Sequence, residues 1–221
     1  MKNNMTNITI NNNVISKYPS AIFGSLIIKD VINKKKDPKL DERKKNLQEE
    51  VENGYMNPDE DKILQSYIQY FKKWNKSYPI AYQLKSIHKG KGFPNVSVLV
   101  DSMFYVEIQN RILTSGHDLD EIVGNLEFTL STGKEQYMKI DGNVQLLKEG
   151  DVLLQDEQDI LANVLYGPAK RSTINLKTKN ALYLAWCPAG LTESVVKKHL
   201  QDLLSNLELV YGPLDAEIII V

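Results

Sequence analysis

Two short stretches hold the residue types that do chemistry. The first is Ser115-Gly116-His117-Asp118-Leu119-Asp120. An imidazole titrates near neutrality, and a carboxylate beside it can fix its tautomer and orientation. His117 with Asp118 therefore reads as a candidate general base and its orienting partner. A plainer reading stands beside it: Asp118 caps a short helix from Leu119 to Val123, and His117 fills a turn. The second stretch is Tyr166-Gly167-Pro168-Ala169-Lys170-Arg171-Ser172-Thr173. It combines a strand end, a glycine turn, two cations and two hydroxyls. The forked guanidinium of Arg171 suits a phosphate or a carboxylate, and Ser172 and Thr173 could hold a water or a sugar hydroxyl. Here the plainer reading is a charged hairpin loop. A basic segment, Lys85 to Gly92, adds Lys89 and Lys91 around Gly90. It could grip phosphates through lysines and exposed amides, or be a solvated loop with His88 on the surface.

These residues need elements to position them. Residues 97 to 112 are apolar on nearly every face, with Asp101 and Glu107 the charges before Arg111. Their length without Gly or Pro predicts a central buried helix that delivers the His117 cluster at its end. Upstream, residues 1 to 13 read as an edge strand or a frayed arm. Val14 to Tyr18 and Ala21 to Ile32 read as strand. The spacing predicts helices over 39–53, Asp59–Trp74 and Pro79–Ile87. The aromatic stripe Tyr67, Tyr70, Phe71 and Trp74 reads as core packing rather than a stacking platform for bases. Downstream the texture changes. Leu126–Leu130 and Gln136–Ile140 predict a hairpin, Asp141-Gly142 another turn, and residues 123–188 a β-rich layer. Thr192 reads as the cap of a last helix carrying Val196, Leu200, Leu203 and Leu207. Glu217–Val221 reads as a closing strand.

Composition bounds the function. The chain has 221 residues, 42% hydrophobic and 25% charged, with a formal net charge of −1. A nucleic-acid role must therefore rest on a local patch rather than on the overall field. The lone Cys187 beside Trp186 excludes an internal disulfide and reads as a small core residue. No stretch approaches the roughly 18 apolar residues of a membrane span. Lys2 is followed by no apolar segment of the secretory kind, so the cytoplasm is expected. Nucleotide-loop, dinucleotide, metal-ligand and nucleophile-elbow templates all fail, so no cofactor and no metal is expected.

Residues from both chemical stretches carry a family likeness. Val100-Asp101 and the apolar run behind it are followed by Gly116-His117-Asp118-Leu119-Asp120-Glu121-Ile122. Then come Arg171-Ser172-Thr173-Ile174 and Thr178-Lys179-Asn180-Ala181-Leu182. In this order and separation they resemble the tRNA-binding and editing domain, the B3 and B4 modules, of the bacterial phenylalanyl-tRNA synthetase β subunit. The likeness covers residues 15 to 190 and is strongest from 97 to 182. Class II aminoacylation motifs are absent from the sequence, so the chain is similar to freestanding members of that family.

The resemblance implies a three-layer α/β (α+β) fold with an unusual β-sandwich and flanking helices. A single domain over 1–221 is expected: strand and helices to 95, core helix and β-rich half over 96–190, helix and strand after 191. It also implies a cytoplasmic protein whose partner is tRNA or aminoacyl-tRNA, with no membrane association. The synthetase's Thr-Asn pair falls at Met103 and Phe104, its editing-pocket histidine at Ser115, and a later acidic residue near Lys170. His117 matches an aromatic position of the synthetase. Two functions follow as expectations. In one, a mischarged aminoacyl-tRNA is hydrolysed in trans, His117 positioning water, Asp118 orienting it, and Arg171 with Thr173 holding the tRNA 3′ end or the oxyanion. In the other, the same cleft binds structured RNA or a free amino acid without catalysis, through Lys89, Lys91, Tyr166, Gly167, Lys170 and Arg171. A purely structural partner protein is the third and weakest expectation.

Overall fold

Strand β2 (Ile22–Ile28) and strand β10 (Ala181–Cys187) are near-continuous apolar runs, and both are buried on both faces. Such runs belong in the middle of a layered structure. A computed structural model describes residues 7–54, 61–188 and 190–221. In it β10 pairs antiparallel with β2 on one side and with β3 (Thr114–Asp118) on the other. Strand β11 (Ala216–Ile220) closes the far edge against β2. The alternation of β10 sorts its side chains into two cores. Tyr183, Ala185 and Cys187 pack with Leu99, Val106, Val196, Leu200 and Leu203 of α5 (Val98–Asn110) and α6 (Glu193–Tyr211). Leu182, Leu184 and Trp186 pack with Phe128, Val152, Leu154 and Leu161 of a second sheet.

That second sheet has the order β1 (Ile8–Ile10), β4 (Leu126–Leu130), β7 (Val152–Gln155), β8 (Ile160–Asn163), β9 (Gly167–Pro168). Helices, first sheet and second sheet form the three expected layers, with the α+β class intact. Helix α6 approaches β2 at Gly24, where an added Cβ would lie 2.8 Å from Val196 and 2.9 Å from Leu200. Helices α2 (Pro38–Asn53), α3 (Lys62–Lys72) and α4 (Pro79–His88) flank the core, with Tyr67, Tyr70 and Phe71 of α3 buried inside it. The aromatic stripe is therefore packing: Tyr67 stacks on Tyr78 at 4.5 Å, and Tyr70 meets Trp186 edge-on at 4.3 Å.

Five expectations are corrected. Val14 to Lys17 lies in a helix, α1 (Asn12–Lys17), because the Asn11 side chain accepts the Asn13 amide at 3.0 Å and caps it. Leu126–Leu130 does not form a hairpin with Gln136–Ile140. Glu135 gathers Ser131 and Thr132 in the intervening turn, with Ser131 Oγ at 2.7 Å, and the chain leaves the sheet. Strand β4 pairs instead with β7, while β5 (Gln136–Met138) pairs with β6 (Val144–Leu146) across Asp141-Gly142. Residues 123–188 are not one layer, since β10 crosses to the first sheet. Thr192 stands at the start of α6, but its hydroxyl meets Ser194 Oγ at 2.8 Å rather than a backbone amide. Helix α3 starts later than expected, after Asp61, whose carboxylate accepts the Ile63 and Leu64 amides; residues 59 and 60 fall outside the described residues.

Candidate functional site

Helix α5 is stopped by Arg111, which adopts the left-handed conformation at φ 60°. The chain then turns into β3, so the cluster after the central helix sits on a strand. Adjacent strand residues face opposite sides of a sheet, and this separates His117 from Asp118. His117 is fully buried, with Nδ1 2.8 Å from Ser172 Oγ and Nε2 3.0 Å from Ser115 Oγ. Asp118 accepts the Thr178 hydroxyl at 2.6 Å and the Asp120 amide at 3.2 Å. The expected Asp118–His117 pair does not form; Ser172 orients the imidazole. Asp118 instead caps a short 3-10 turn, Leu119–Glu121, as the plainer reading had it. Burial, with the Arg171 guanidinium adding to it, pushes the His117 imidazole down to about 4. It is neutral at pH 7 and can both give and take a hydrogen bond.

The second stretch does come to the first. His117 and Thr173 form a β-bridge, and the Asp118 amide donates to Ser172 O at 2.8 Å. Arg171, however, is committed within the protein. It donates to Glu121 O and pairs with Asp156 at 2.6 Å. Asp156 also accepts the Val123, Gln158 and Asp159 amides. Burial works to raise that carboxyl, but Arg171 and these amides outweigh it and hold it below the usual range. Lys170 is exposed beside this corner. Lys89 and Lys91 are exposed after α4, and neither lines the cavity described next.

Between α5, β3 and the second sheet lies a cavity of about 500 Å³, within the size range of small-ligand sites. Val100, Met103, Phe104 and Glu107 present one face of α5 to it. Ser115 and Gly116 of β3, Tyr166, Gly167 and Pro168 around β9, and Thr173 complete its rim. Three of the expected contact residues, Tyr166, Gly167 and Thr173, thus meet in one place. His117 reaches the cavity only through Ser115. Gly116 sits tightly in the wall: a Cβ there would lie 3.0 Å from Ile174 and 3.2 Å from Met103.

Sequence reasoning passed over the cavity's one charged side chain among the described lining residues. Glu107 is 3% exposed and accepts the Thr114 amide at 2.8 Å. Burial pushes its carboxyl up to about 8, against the pull of that amide. The signal was an acid in the second half of a nearly apolar helix; the helix's other acid, Asp101, is paired with Lys44 at 2.9 Å. Asn163 Oδ1, Trp186 Nε1 and Gln83 Oε1 belong to lining residues and are buried without a hydrogen-bond partner. No group of three or more His, Cys, Asp or Glu among the described residues could hold a metal. Cys187 is buried with its thiol pushed up to about 12 by burial, as a core residue would be.

The layered α+β architecture with a cavity between helix and sheets defines a class, and the comparisons name it. Residues 65–201 match the B3/4 domain model, and the chain belongs to that family. That span contains α5, β3 and the cavity rim. The chain is 33% identical over 85 residues to a phenylalanine–tRNA ligase β subunit of Mycoplasma genitalium. It is 30% identical over 88 residues to that of Mycoplasma pneumoniae. These matches cover 38% and 40% of this chain but 10% and 11% of the ligase subunits, so the chain spans about a tenth of their length. An N-terminal fragment of the phenylalanyl-tRNA synthetase β subunit from Pyrococcus horikoshii shares the fold. It superposes with a TM-score of 0.50 at 12% identity, over 99% of this chain and 51% of that one. No helix among the described residues is long and apolar enough to cross a membrane.

Proposed function

We propose that the chain is a tRNA-binding module acting in the cytoplasm as one domain, and that its cavity receives the aminoacyl end of a mischarged tRNA for hydrolysis. One observation carries the reading: Ser115 lines the cavity, and behind it His117 is held between the Ser115 and Ser172 hydroxyls. An aminoacyl ester is already activated, so a positioned water and a shaped pocket can suffice without a covalent intermediate. In this reading Ser115 holds the water, His117 and Ser172 fix the Ser115 hydroxyl, and Thr173 and Tyr166 meet the terminal nucleotide. Family membership and the ligase relatives support the tRNA connection. Deacylation over a panel of mischarged tRNAs tests it. The expected result is turnover with at least one pair, reduced about tenfold or more in Ser115→Ala. No turnover above buffer with any pair removes the hydrolase.

A second reading keeps the binding and drops the chemistry. It is favoured by the sealed, weakly basic His117 and by the exposed Lys89, Lys91 and Lys170. Phosphate contacts release counterions, so affinity for bulk tRNA would fall steeply with salt. A gel shift at two salt concentrations checks this, with Lys89→Ala/Lys91→Ala expected to flatten the slope. Salt-independent binding, or none, removes RNA as the ligand.

A further inference from the structure

Glu107 is out of place in its surroundings. It lies on the cavity wall, 3% exposed, among Val100, Met103, Phe104 and Leu113. One carboxyl oxygen takes the Thr114 amide, and no ion pair reaches the group among the described residues. Its neighbours are engaged elsewhere. The Tyr78 hydroxyl donates to Arg111 O at 2.9 Å, Arg111 Nε pairs with Asp61 at 2.9 Å, and His199 Nε2 sits 2.7 Å from Thr114 Oγ1. No lysine or arginine stands among the described lining residues. A buried carboxyl is costly unless something compensates it. A carboxyl kept on a ligand-sized cavity is compensated most directly by a cation that arrives with the ligand.

We propose that Glu107 is the receptor for a primary ammonium group, so that the cavity selects ligands with a free α-amino group and an apolar side chain. The inference rests on the reading of the cavity as an aminoacyl site and names what that site recognises. On binding, the Glu107 carboxyl releases its proton to solvent, and the resulting carboxylate and the ammonium form a charge-assisted pair in a dry site, where such bonds are strongest. The apolar surface of Val100, Met103, Phe104 and Ile174 takes the side chain. N-acylated amino acids, which lack the charge, are excluded.

The test needs no tRNA. L-leucinamide and L-phenylalaninamide are titrated against the full chain by calorimetry, each beside its N-acetyl derivative. The free amides are expected to bind at least about tenfold more tightly, the scale of one hydrogen bond to a charged group. In Glu107→Gln, which keeps the bond to the Thr114 amide, each pair is expected to come within about twofold. Equal affinity for free and acetylated amides, no binding of either free amide, or discrimination that survives Glu107→Gln would overturn the proposal. A chain that discriminates the amides yet hydrolyses no aminoacyl-tRNA keeps the ammonium receptor and loses the hydrolase.

Discussion

Two buried titratable side chains flank the cavity and are treated in opposite ways. His117, behind β3, has both nitrogens matched to hydroxyls, and the strand around it is tied down by Asp118, Thr178 and Ser172. Glu107, on α5, has a single amide and an apolar wall. Burial lowers the imidazole and raises the carboxyl, so both are neutral at pH 7. The first corner is internally complete, while the second leaves a polar group that a ligand can satisfy. A residue of catalytic type can thus be structural cement, and an unremarked acid in a greasy helix can be the feature that faces the ligand.

The contrast breaks hardest at Asp118. Asp118→Ala leaves the buried Thr178 O–H without its acceptor and uncaps the following turn, and should cost about 3 kcal/mol in denaturant unfolding. A loss under about 1 kcal/mol would mean that this corner is not what holds β3. His117→Ala should cost about 2 kcal/mol, from the void and two unmatched hydroxyls. It should also change the acid response. The unfolded imidazole takes its proton below about 6.5, whereas the folded one waits until about 4. Its stabilisation is therefore present above pH 6.5 and lost as pH falls towards 4. The variant should lose that part of the slope, keeping the part due to His199, whose imidazole burial also pushes down to about 4.

Glu107→Gln should be the mildest and opposite in sign. The unfolded carboxyl releases its proton near 4.5 and the folded one near 8, so stability from this group is full at low pH and lost as pH rises to about 8. The variant should lack this fall, so its thermal midpoint should gain on the parent's as pH rises from about 5 to about 8. No such gain would show that Glu107 already has a cationic partner.

The central helix was legible from its length and even apolarity, which no half-exposed strand would show. So were α4, the last helix, and the meeting of the His117 and Arg171 stretches. Strand partnership was not. Glu135 turns the chain away after β4, and nothing local in Leu126–Leu130 reveals that its partner is Val152–Gln155. Asn11 turned an apparent strand into a helix through one side-chain bond. The site was half visible. Tyr166, Gly167 and Thr173 do gather at the cavity, but the adjacency of Asp118 to His117 misled, because neighbours on a strand look away from each other. Ser115 was marked only as the position of the synthetase's pocket histidine, and Glu107 was found only once the cavity gave it something to line.

Gly116 adds no side chain at the point where Met103 and Ile174 close on the cavity wall. The bore there is therefore gauged by bare backbone, and one methyl group would be felt at once. A relative with alanine at this position should accept only smaller guests, so the ligand preference of each member would be legible at a single residue.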